Sequence, residues 1–463
     1  MVNKMAKYQK YAEYKDSGVE WLGKIPSHWN SKSLKYLCTY NDDVLSETIS
    51  KDTEIQYVDI GSVSAVYGIS HIETMTFNDA PSRARRIVKD GDVIVSTVRT
   101  YLEAIAPIEN PPKNLIVSTG FSVIRPSQYL NKCFAAYCLK AKGFIKEVVA
   151  RSVGVSYPAI NSSELVNIII PSVPYLEQTQ IANFLDHETA KIDTLIAKQE
   201  KLIELLKEKR QAVISHAVTK GLNPNVKMKA SGIEWLGDVP EHWSVTKIGF
   251  HTLKIGSGKT PKGGAEIYQD QGILFIRSQN IYNDGLRIDI SENTYISEAI
   301  HDDMSNSKVY SGDILLNITG GSIGRSSLVP DEFPEANVNQ HVCIIRVRNY
   351  LQDFLALVIQ SDLIQAQIQS IQTGGNREGL NFEQISNFYF ALPSIEEQEL
   401  LFKYIQCKVF EYRELEAKAN TAIQLMQERR TALISAAVTG KIDVRHWKNP
   451  NKNNNQENME CST

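Results

Sequence analysis

The sequence predicts an α+β fold, with two pseudo-symmetric mixed α/β domains separated by an antiparallel coiled coil of two long helices. Three observations lead to this fold class. The 463-residue chain contains the same segments twice, short β-branched runs fill the middle of each copy, and a long helical pattern with an apolar seam closes each copy. The chain is therefore expected to fold as two similar units joined through their helices.

The duplication is clearest at the two ends of each copy. Residues 17–29 read SGVEWLGKIPSHW and residues 231–243 read SGIEWLGDVPEHW, with nine of thirteen positions identical. Residues 208–219 read EKRQAVISHAVT and residues 428–439 read ERRTALISAAVT, with eight of twelve identical. The chain is a tandem duplication of a unit of about 220 residues.

Shorter matching segments occur in the same order between these ends, and the rest of each middle has diverged. They pair Gly91-Asp92 with Gly312-Asp313, Val123-Ile124-Arg125 with Ile344-Ile345-Arg346, and Glu177-Gln178 with Glu397-Gln398. Two similar modules in one chain suit a two-part target or two copies of a partner. A duplication kept only for stability is the alternative, but it does not explain why the ends match while the middles differ.

Six segments follow from the repeats and from composition. They are an opening segment 1–29, a first variable domain 30–170, a central shared region 171–229 with a long helix, a second variable domain 230–390 beginning with the repeated opening segment 230–243, a C-terminal shared region 391–447 with a long helix, and a polar, disordered tail 448–463.

The opening segments hold four of the five tryptophans, namely Trp21, Trp29, Trp235 and Trp243. Aromatic residues beside Pro and Gly usually clamp a chain onto its core, and this interpretation is favoured over stacking on DNA bases. His28 and His242 are given the same structural role.

The middles alternate between predicted strands and helices. Strands are expected at Glu54–Ile60, Asp92–Val98, Leu115–Ile124, Val166–Ile170, Gly272–Ile276, Asp313–Ile318 and Val342–Val347, and helices at Lys132–Ala150 and Leu351–Gln369.

Each closing helix is expected to run about 40 residues, or roughly 60 Å. Apolar residues repeat at sevens, which predicts a coiled-coil seam. The seam residues are Leu185, Ile192, Leu195, Leu202, Leu206 and Val213 in the first helix, and Ile405, Tyr412, Leu415, Met426 and Leu433 in the second. Such a helix cannot stand alone in water, and the other copy is its simplest partner. A helix lying flat on its own domain is the alternative.

Composition limits the class of protein. The net charge is −3, which argues against tight non-specific nucleic-acid binding by the whole surface but leaves local basic patches open. No apolar run is long enough to span a bilayer, and the N-terminus lacks a signal-peptide pattern, so we expect a cytoplasmic protein without a membrane partner. The six cysteines form no CxxC pair, and we expect no disulfide framework or zinc site.

Two segments resemble catalytic motifs without completing them. Asn110-Pro111-Pro112-Lys113 lacks the aromatic residue with which an adenine methyltransferase stacks a flipped base. Gly256-Ser257-Gly258-Lys259-Thr260 lacks the first glycine of a phosphate-binding loop, because Leu253 stands there. We therefore predict no catalytic, cofactor-binding or metal-binding residue in this chain. A methyltransferase or nuclease with degenerate motifs is the rival interpretation.

Basic and amide side chains in the middles suit DNA. Arg and Lys neutralise phosphates, Arg pairs with guanine, and Asn or Gln pairs with adenine. The candidates are Arg83, Arg85, Arg86, Arg99 and Arg151 in the first unit, and Lys259, Lys262, Arg277, Gln279, Asn280, Arg325, Asn376 and Arg377 in the second. Gly-rich basic loops recur after the Gly-Asp strand in both units, which favours DNA over a scaffold that never touches it.

The repeated Trp-Leu-Gly…Pro…His-Trp segment, the Glu-Gln start of the long helix and its Ala-Val-Ile-Ser…Ala-Val-Thr end resemble the specificity subunits of type I restriction–modification systems. The resemblance covers nearly the whole chain. It implies that the variable domains are target-recognition domains, each binding one half of a split, asymmetric site in double-stranded DNA, and that the coiled coil sets the gap between the halves.

The resemblance also implies partners. Two methyltransferase subunits with S-adenosylmethionine would dock on the shared regions and methylate adenine. Restriction and translocation subunits would supply the ATP- and Mg²⁺-dependent activity, and this chain would itself be non-catalytic.

Overall fold

The computed structural model describes residues 8–46, 48–64, 68–261, 263–288, 293–372 and 379–450, so most of the predicted tail falls outside the described residues. The chain divides into two units. Unit 1 comprises the residues up to Gln199 together with those from Thr421 onward, and unit 2 comprises Glu200–Asn420. Both long helices are therefore shared, because each passes from one unit into the other.

Unit 1 begins with two short strands, continues into two small sheets and ends in a long helix. Its strands are β1 (Tyr14–Asp16), β2 (Lys24–Pro26), β3 (Asn30–Ser33), β4 (Cys38–Tyr40), β5 (Glu54–Val58), β6 (Val63–Ser64), β7 (Gly68–Ile69), β8 (Glu73–Thr76), β9 (Ala84–Ile87), β10 (Val93–Ser96), β11 (Ile105–Pro107), β12 (Leu115–Ser118), β13 (Phe121–Pro126) and β14 (Ile169–Ser172). Its helices are α1 (Lys132–Leu139), α2 (Lys142–Ala150), α3 (Ser162–Leu165), the first part of α4 (Tyr175–Lys220) and the last part of α9 (Ile395–Val438).

Two four-stranded sheets form the middle of unit 1. One has the order β11-β10-β13-β4 and is antiparallel, with Ile94 opposite Val123. The other has the order β8-β5-β12-β9, and within it β5 and β12 run parallel, with Tyr57 opposite Ile116. Because β5 and β12 are parallel, their carboxyl ends lie at one edge of the sheet.

Unit 2 repeats this arrangement. Its strands are β15 (Met228–Ala230), β16 (Asp238–Pro240), β17 (Ser244–Lys247), β18 (Thr252–Ser257), β19 (Ile273–Ile276), β20 (Ile281–Tyr282), β21 (Gly285–Leu286), β22 (Tyr295–Ile296), β23 (Lys308–Val309), β24 (Ile314–Asn317), β25 (Ser326–Leu328), β26 (Ala336–Val338), β27 (Val342–Val347) and β28 (Tyr389–Leu392). Its helices are the last part of α4, α5 (Glu298–Asp303), α6 (Gln352–Gln360), α7 (Asp362–Gln372), α8 (Phe382–Ser386) and the first part of α9 (Ile395–Val438).

The sheets of unit 2 have the orders β18-β27-β24-β25 and β22-β19-β26-β23, with β19 and β26 parallel. Strand for strand, this is the topology of unit 1, so the duplication that the sequence predicts at the ends extends through the diverged middles.

Several predicted elements are interrupted in the structure. The predicted strand Leu115–Ile124 is two strands, β12 and β13, in different sheets. Each predicted middle helix is two helices, because Ala141 and Ser361 adopt extended backbone. These residues are 220 positions apart, so the breaks are equivalent. The apolar spacing continues across each break, which is why periodicity did not reveal it.

The opening segments are fixed to the long helices by equivalent contacts. Of the four tryptophans predicted to clamp the chain, Trp29 and Trp243 are completely buried in the cores of their units and Trp21 is half-buried. Trp235 is 46% exposed, so the prediction is wrong for this residue. Glu177 Oε2 lies 2.9 Å from His28 Nε2, and Glu397 Oε2 lies 2.8 Å from His242 Nε2. The repeated Glu residues therefore hold the repeated histidines, which act as structural residues.

The two long helices pack against each other in antiparallel fashion within each unit. In unit 1, Leu185 and Ile192 of α4 share a core with Leu433 of α9, and Asp193 forms a 2.9 Å ion pair with Arg430. In unit 2 the later residues of α4 share a core with the early residues of α9, namely Ile214, Ala217 and Val218 with Leu401 and Ile405. These contacts form the predicted antiparallel pair, and each helix end also packs on the globular core of its unit.

Part of the predicted heptad seam is wrong. Leu185, Ile192, Leu206, Ile405 and Leu433 are buried, and Val213, Tyr412 and Met426 are half-buried. Leu195, Leu202 and Leu415, however, are 49%, 40% and 45% exposed.

The inward positions follow an 11-residue repeat better than a heptad. Buried or half-buried apolar residues recur at this spacing in both helices, at Ile181, Ile192, Ile203 and Ile214, and at Leu401, Tyr412, Ile423 and Ile434. Eleven residues per three turns is close to the 3.6 residues per turn of a straight helix, whereas a heptad seam needs supercoiling. The three exposed leucines lie beside this seam rather than in it.

Gly440 follows α9 and terminates it. Its φ is +73°, Gly440 N–H donates to Ala437 O, and Lys441 N–H donates to Ala436 O. A Cβ at Gly440 would lie 2.3 Å from Pro26 Cδ, so the position requires glycine for two reasons. Among the described helices, none is long and apolar enough to cross a membrane.

Candidate nucleic-acid interface

Loops from several strands meet at one end of unit 2. Strands β19 and β26 end side by side, and Asn339 N–H donates to Ile276 O at 3.0 Å. The loop after β24 contacts the β26–β27 turn, because Ile318 N–H donates to His341 O at 3.0 Å. The loop after β18 contacts the same turn, because Gly258 N–H donates to Asn339 O at 3.2 Å. We call the loops after β18, β19 and β24 and the β26–β27 turn the loop surface of unit 2.

Gly258 makes this convergence possible. A Cβ at this position would lie 1.6 Å from Val338 O, so any side chain would push the loop away from the β26–β27 turn. The Gly-Ser-Gly-Lys stretch, which resembles a phosphate-binding loop in sequence, thus places its glycine against a neighbouring backbone.

Unit 1 has the equivalent surface. Thr97 N–H donates to Gly120 O at 2.8 Å, Thr119 N–H to Arg83 O at 2.8 Å, and Ile160 N–H to Thr97 O at 2.9 Å. We call the loops after β5 and β10, residues 81–83, the β12–β13 turn and residues 151–160 the loop surface of unit 1. Arg83 and Arg99 lie on it and are exposed.

The predicted arginine after each Gly-Asp strand is stacked on a tyrosine. The guanidinium of Arg99 lies 5.1 Å from the ring centroid of Tyr157, and that of Arg325 lies 5.1 Å from the ring of Tyr282. Both arginines are exposed, and within the described part of the chain neither has an ion-pair partner. A stacked, unpaired guanidinium is preorganised to bind a phosphate or a guanine edge.

Three predicted arginines carry buried nitrogens that lack hydrogen-bond partners among the described residues. The atoms are Arg85 Nη1, Arg86 Nε and Arg277 Nε. Arg85 also stacks on Phe77 at 4.7 Å, and burial lowers the pKa of Arg86. An unpaired buried donor is rare in a folded protein and is often completed by water or a ligand.

Other predicted residues are already engaged within the protein. Arg151 forms an ion pair with Glu147 at 3.0 Å, and Lys259 forms one with Asp303 at 3.2 Å. Asn280 is buried, and its Nδ2 donates to Arg287 O, so it holds its own loop and does not reach outward.

Gln279 is exposed on the loop surface of unit 2. Lys262, Asn376 and Arg377 fall outside the described residues. The loop surfaces thus bring together Arg83 and Arg99 in one unit, and Arg277, Gln279 and Arg325 in the other.

In each unit an arginine pairs with a buried aspartate and joins the start of β10 to the end of β13, or the start of β24 to the end of β27, at the ends of these strands opposite the loop surface. Arg125 donates to both oxygens of Asp92 at 2.9 and 2.8 Å, and Arg346 to both oxygens of Asp313 at 2.6 and 2.7 Å. These hydrogen bonds raise the pKa of each arginine. The repeated Gly-Asp and Ile-Arg sequences were a signal for this pair, although the sequence did not show that the two matching segments meet.

The loop surface of unit 2 also holds a group of polar side chains that no sequence pattern indicated. Thr260, Thr319, Gln340 and His341 are joined by hydrogen bonds across three loops. Unit 1 has Thr119 and Gly120 in the corresponding turn, so no repeated pattern pointed to these residues. Across the described residues, no group of three His, Cys, Asp or Glu is arranged to hold a metal ion.

Two similar domains with loop surfaces at equivalent strand ends, tied to shared antiparallel helices, define a duplicated binding protein. The sequence profile of the type I restriction–modification DNA specificity domain matches residues 26–205 and 240–425. The chain belongs to this family and is a specificity subunit of a type I restriction–modification system.

Known relatives agree over most of the chain. A putative type I restriction enzyme specificity subunit, MjaX, of Methanocaldococcus jannaschii is 22% identical over 439 residues, covering 92% of this chain and 96% of the relative. The EcoBI specificity subunit of Escherichia coli is 28% identical over 332 residues, covering 69% of this chain and 68% of the relative.

A solved structure gives the same fold. It is described as concerning complex assembly and conformational transition of the type I R-M system, and it matches with a TM-score of 0.67 and 19% identity. The match covers 89% of this chain and 98% of that one.

Proposed function

We propose that each unit binds one half of a two-part, asymmetric site in double-stranded DNA, and that the paired helices set the spacing of the halves and dock two methyltransferase subunits. The chain itself is non-catalytic in this proposal. The methyltransferase subunits supply S-adenosylmethionine chemistry on adenine, and restriction and translocation subunits supply ATP- and Mg²⁺-dependent cleavage, in the cytoplasm.

The observation that carries the proposal is the recurrence of one surface in both units. Arg99 and Arg325 occupy equivalent loops, each stacked on a tyrosine and each exposed. A scaffold that never touched DNA would not need an exposed, stacked guanidinium without an ion-pair partner in the same loop of both units. Phosphate binding by such groups supplies most of the affinity of proteins for DNA.

Differences between the two surfaces support an asymmetric target. The β26–β27 turn of unit 2 carries Gln340 and His341, whereas the β12–β13 turn of unit 1 carries Thr119 and Gly120. Amide, hydroxyl and imidazole groups present different donors and acceptors to base edges. Similar backbones with different side chains suit two half-sites of different sequence.

Exposed leucines that recur on the two helices favour the docking of two copies of one protein partner. Leu195 and Leu415 are exposed, and so are Leu205 and Leu425. Both pairs are separated by 220 positions, so each half of the duplication presents the same apolar residues to solvent. Exposed apolar residues that recur in this way favour docking of two copies of one partner, here the methyltransferase subunit.

The decisive experiment is co-purification of this chain with the methyltransferase subunit of its system, followed by mapping of methylated adenines in host DNA with and without the chain. We expect a stable complex and a split motif whose methylation requires the chain. A complex that methylates no split motif, or methylation that persists without the chain, would contradict the proposal.

A further inference from the structure

Four polar side chains on the loop surface of unit 2 form one continuous hydrogen-bonded chain. The Thr260 hydroxyl donates to Gln340 Oε1, and Gln340 Nε2 lies 2.9 Å from His341 Nε2. His341 Nδ1 in turn lies 2.6 Å from Thr319 Oγ1. The members come from the loops after β18 and β24 and from the β26–β27 turn, so three loops hold one amide.

Gln340 is exposed although it is held at both ends of its amide. An exposed glutamine normally samples many rotamers, and ordering it on binding costs conformational entropy. Here Thr260 and His341 restrict the side chain before any ligand arrives. Preorganised groups of this kind favour binding because little ordering remains to be done.

These hydrogen bonds use only some of the donors and acceptors of the Gln340 amide. A glutamine amide has two N–H donors and an oxygen with two lone pairs. One lone pair accepts from Thr260 and one N–H donates to the neutral His341 ring, which leaves one donor and one acceptor. If the amide is flipped, so that its oxygen accepts from His341 Nε2–H and its nitrogen donates to the Thr260 hydroxyl, one donor and one acceptor are again left.

One donor beside one acceptor complements the major-groove edge of adenine, which offers N6–H as donor and N7 as acceptor. Guanine offers two acceptors at the same edge, so the free lone pair of the amide would face another acceptor. We propose, on the basis of the proposed DNA-reading function, that Gln340 reads an adenine in the half-site bound by unit 2, with Thr260, His341 and Thr319 as positioning residues.

The test is selection of bound duplexes from a random-sequence pool by the complex of this chain with its methyltransferase subunits. In the Gln340→Ala complex, we expect the preference for adenine to fall roughly 5- to 150-fold at one position of one half-site. The Gln340→Glu complex should favour cytosine there, because a carboxylate accepts from cytosine N4. The half-site bound by unit 1 should be selected unchanged, and unchanged selection at the other positions of the half-site bound by unit 2 reports that the variant unit folds.

Gln271→Ala is the matched control. Gln271 is an exposed glutamine of the same unit at the opposite end of the parallel strands, before β19 begins. It should select the wild-type motif. An unchanged motif in Gln340→Ala, or an equal drop in preference at every position of that half-site, would overturn the role of Gln340 while leaving the proposed function standing. If the wild-type complex selects no two-part motif, the proposed function itself fails.

The positioning role has its own readout. Thr319→Val keeps the size of the side chain but removes the hydroxyl that fixes His341. We expect weaker discrimination at the same single base pair, with the other positions of the half-site unaffected. A drop spread over the whole half-site would show a purely structural role for this residue and overturn the positioning assignment.

Discussion

Two sets of charged residues recur in the two units: aspartate–arginine ion pairs that belong to the fold, and exposed arginines that are available to a ligand. Asp92 and Asp313 are almost completely buried, and each holds an arginine in a two-bond ion pair and also accepts a backbone N–H at 2.8 Å. Removing one partner from such a buried pair typically costs about 3–5 kcal/mol, because the other charge stays behind unpaired. Arg99 and Arg325, by contrast, are exposed and stacked on tyrosines, so their charge is available to a ligand.

Neutralising the exposed arginines should weaken DNA binding without destabilising the fold. For Arg99→Gln and Arg325→Gln, we expect lower affinity for every duplex. The slope of log affinity against log salt should fall by about 0.9 for each phosphate that the variant no longer binds. The measurement is binding of the assembled complex to duplex DNA across a range of salt concentrations.

Lys35→Gln provides the control for this charge series. Lys35 is also an exposed cation stacked on a tyrosine, 5.3 Å from the ring of Tyr36, but it precedes β4 at the opposite end of the sheet. Its removal should leave the salt slope unchanged. Equal effects of Lys35 and Arg99 would show that general charge, and not the loop surface, governs binding.

The long helices combine a buried face with an exposed apolar flank. The buried face repeats every 11 residues, so it stays on one side of nearly straight helices. The exposed leucines lie on the neighbouring flank, at equivalent places in the two helices. The buried face of each helix therefore stabilises the fold, and the exposed apolar flank remains available to partners.

Shortening both helices by one repeat should move the two half-sites together. Deleting residues 196–206 and 416–426 removes 11 residues from each helix and keeps the phase of the buried face. At 1.5 Å per residue the helices shorten by about 16 Å, so we expect the spacer of the methylated motif to shrink by at most about five base pairs. The measurement is methylation of reporter sites in which only the spacer length varies.

A nine-residue deletion is the control for phase. Nine residues correspond to about two and a half turns, which places the apolar face on the opposite side of the helix. This variant should lose thermal stability even though it shortens the helices by a similar length. An 11-residue variant that still prefers the original spacer would refute the role of the helices in spacing.

At the scale of the whole chain, the two units differ in how the opening segment meets its helix end. In unit 2, residues 221–227 connect the end of α4 covalently to β15. In unit 1 the corresponding junction is non-covalent: Asp443 N–H donates to Gln9 O at 2.9 Å, and Tyr14 Oη–H donates to Gly440 O at 3.1 Å. The rings of Tyr8 and Trp447 also both pack edge-on against Phe184.

A circular permutant tests whether the covalent and the non-covalent junction are interchangeable. Joining residue 447 to residue 8 through a short flexible linker, and opening the chain at Asn223-Pro224, exchanges the covalent and non-covalent junctions. We expect both units to fold with near wild-type thermal stability, because no strand or helix is cut. Opening the chain inside β27 should prevent folding of unit 2. A permutant at Asn223-Pro224 that fails to fold either unit would contradict the equivalence of the two junctions.

Much of this architecture could be predicted because it depends on local patterns. The opening segments, the Glu-Gln starts of the helices and the Gly440 cap repeat or stand out in sequence, and their contacts recur with them. Alternation and amphipathic spacing likewise predicted the two long helices and most of the central strands of the four-stranded sheets, but not their edge strands. Local sequence did not determine which side of each helix is buried, because Leu195 and Leu415 are exposed although they are as apolar as the residues that pack inside.

Sequence patterns were enough to establish that the protein is built twice from one α+β unit, with two long helices and two divergent middles that carry local basic clusters. They did not establish which side chains share a surface. Arg83 and Arg99, or Thr260 and Gln340, are brought together by strands that pair across long separations in the chain. Strand order and loop convergence arise from such non-local contacts, whereas a sequence pattern reports only the neighbours along the chain.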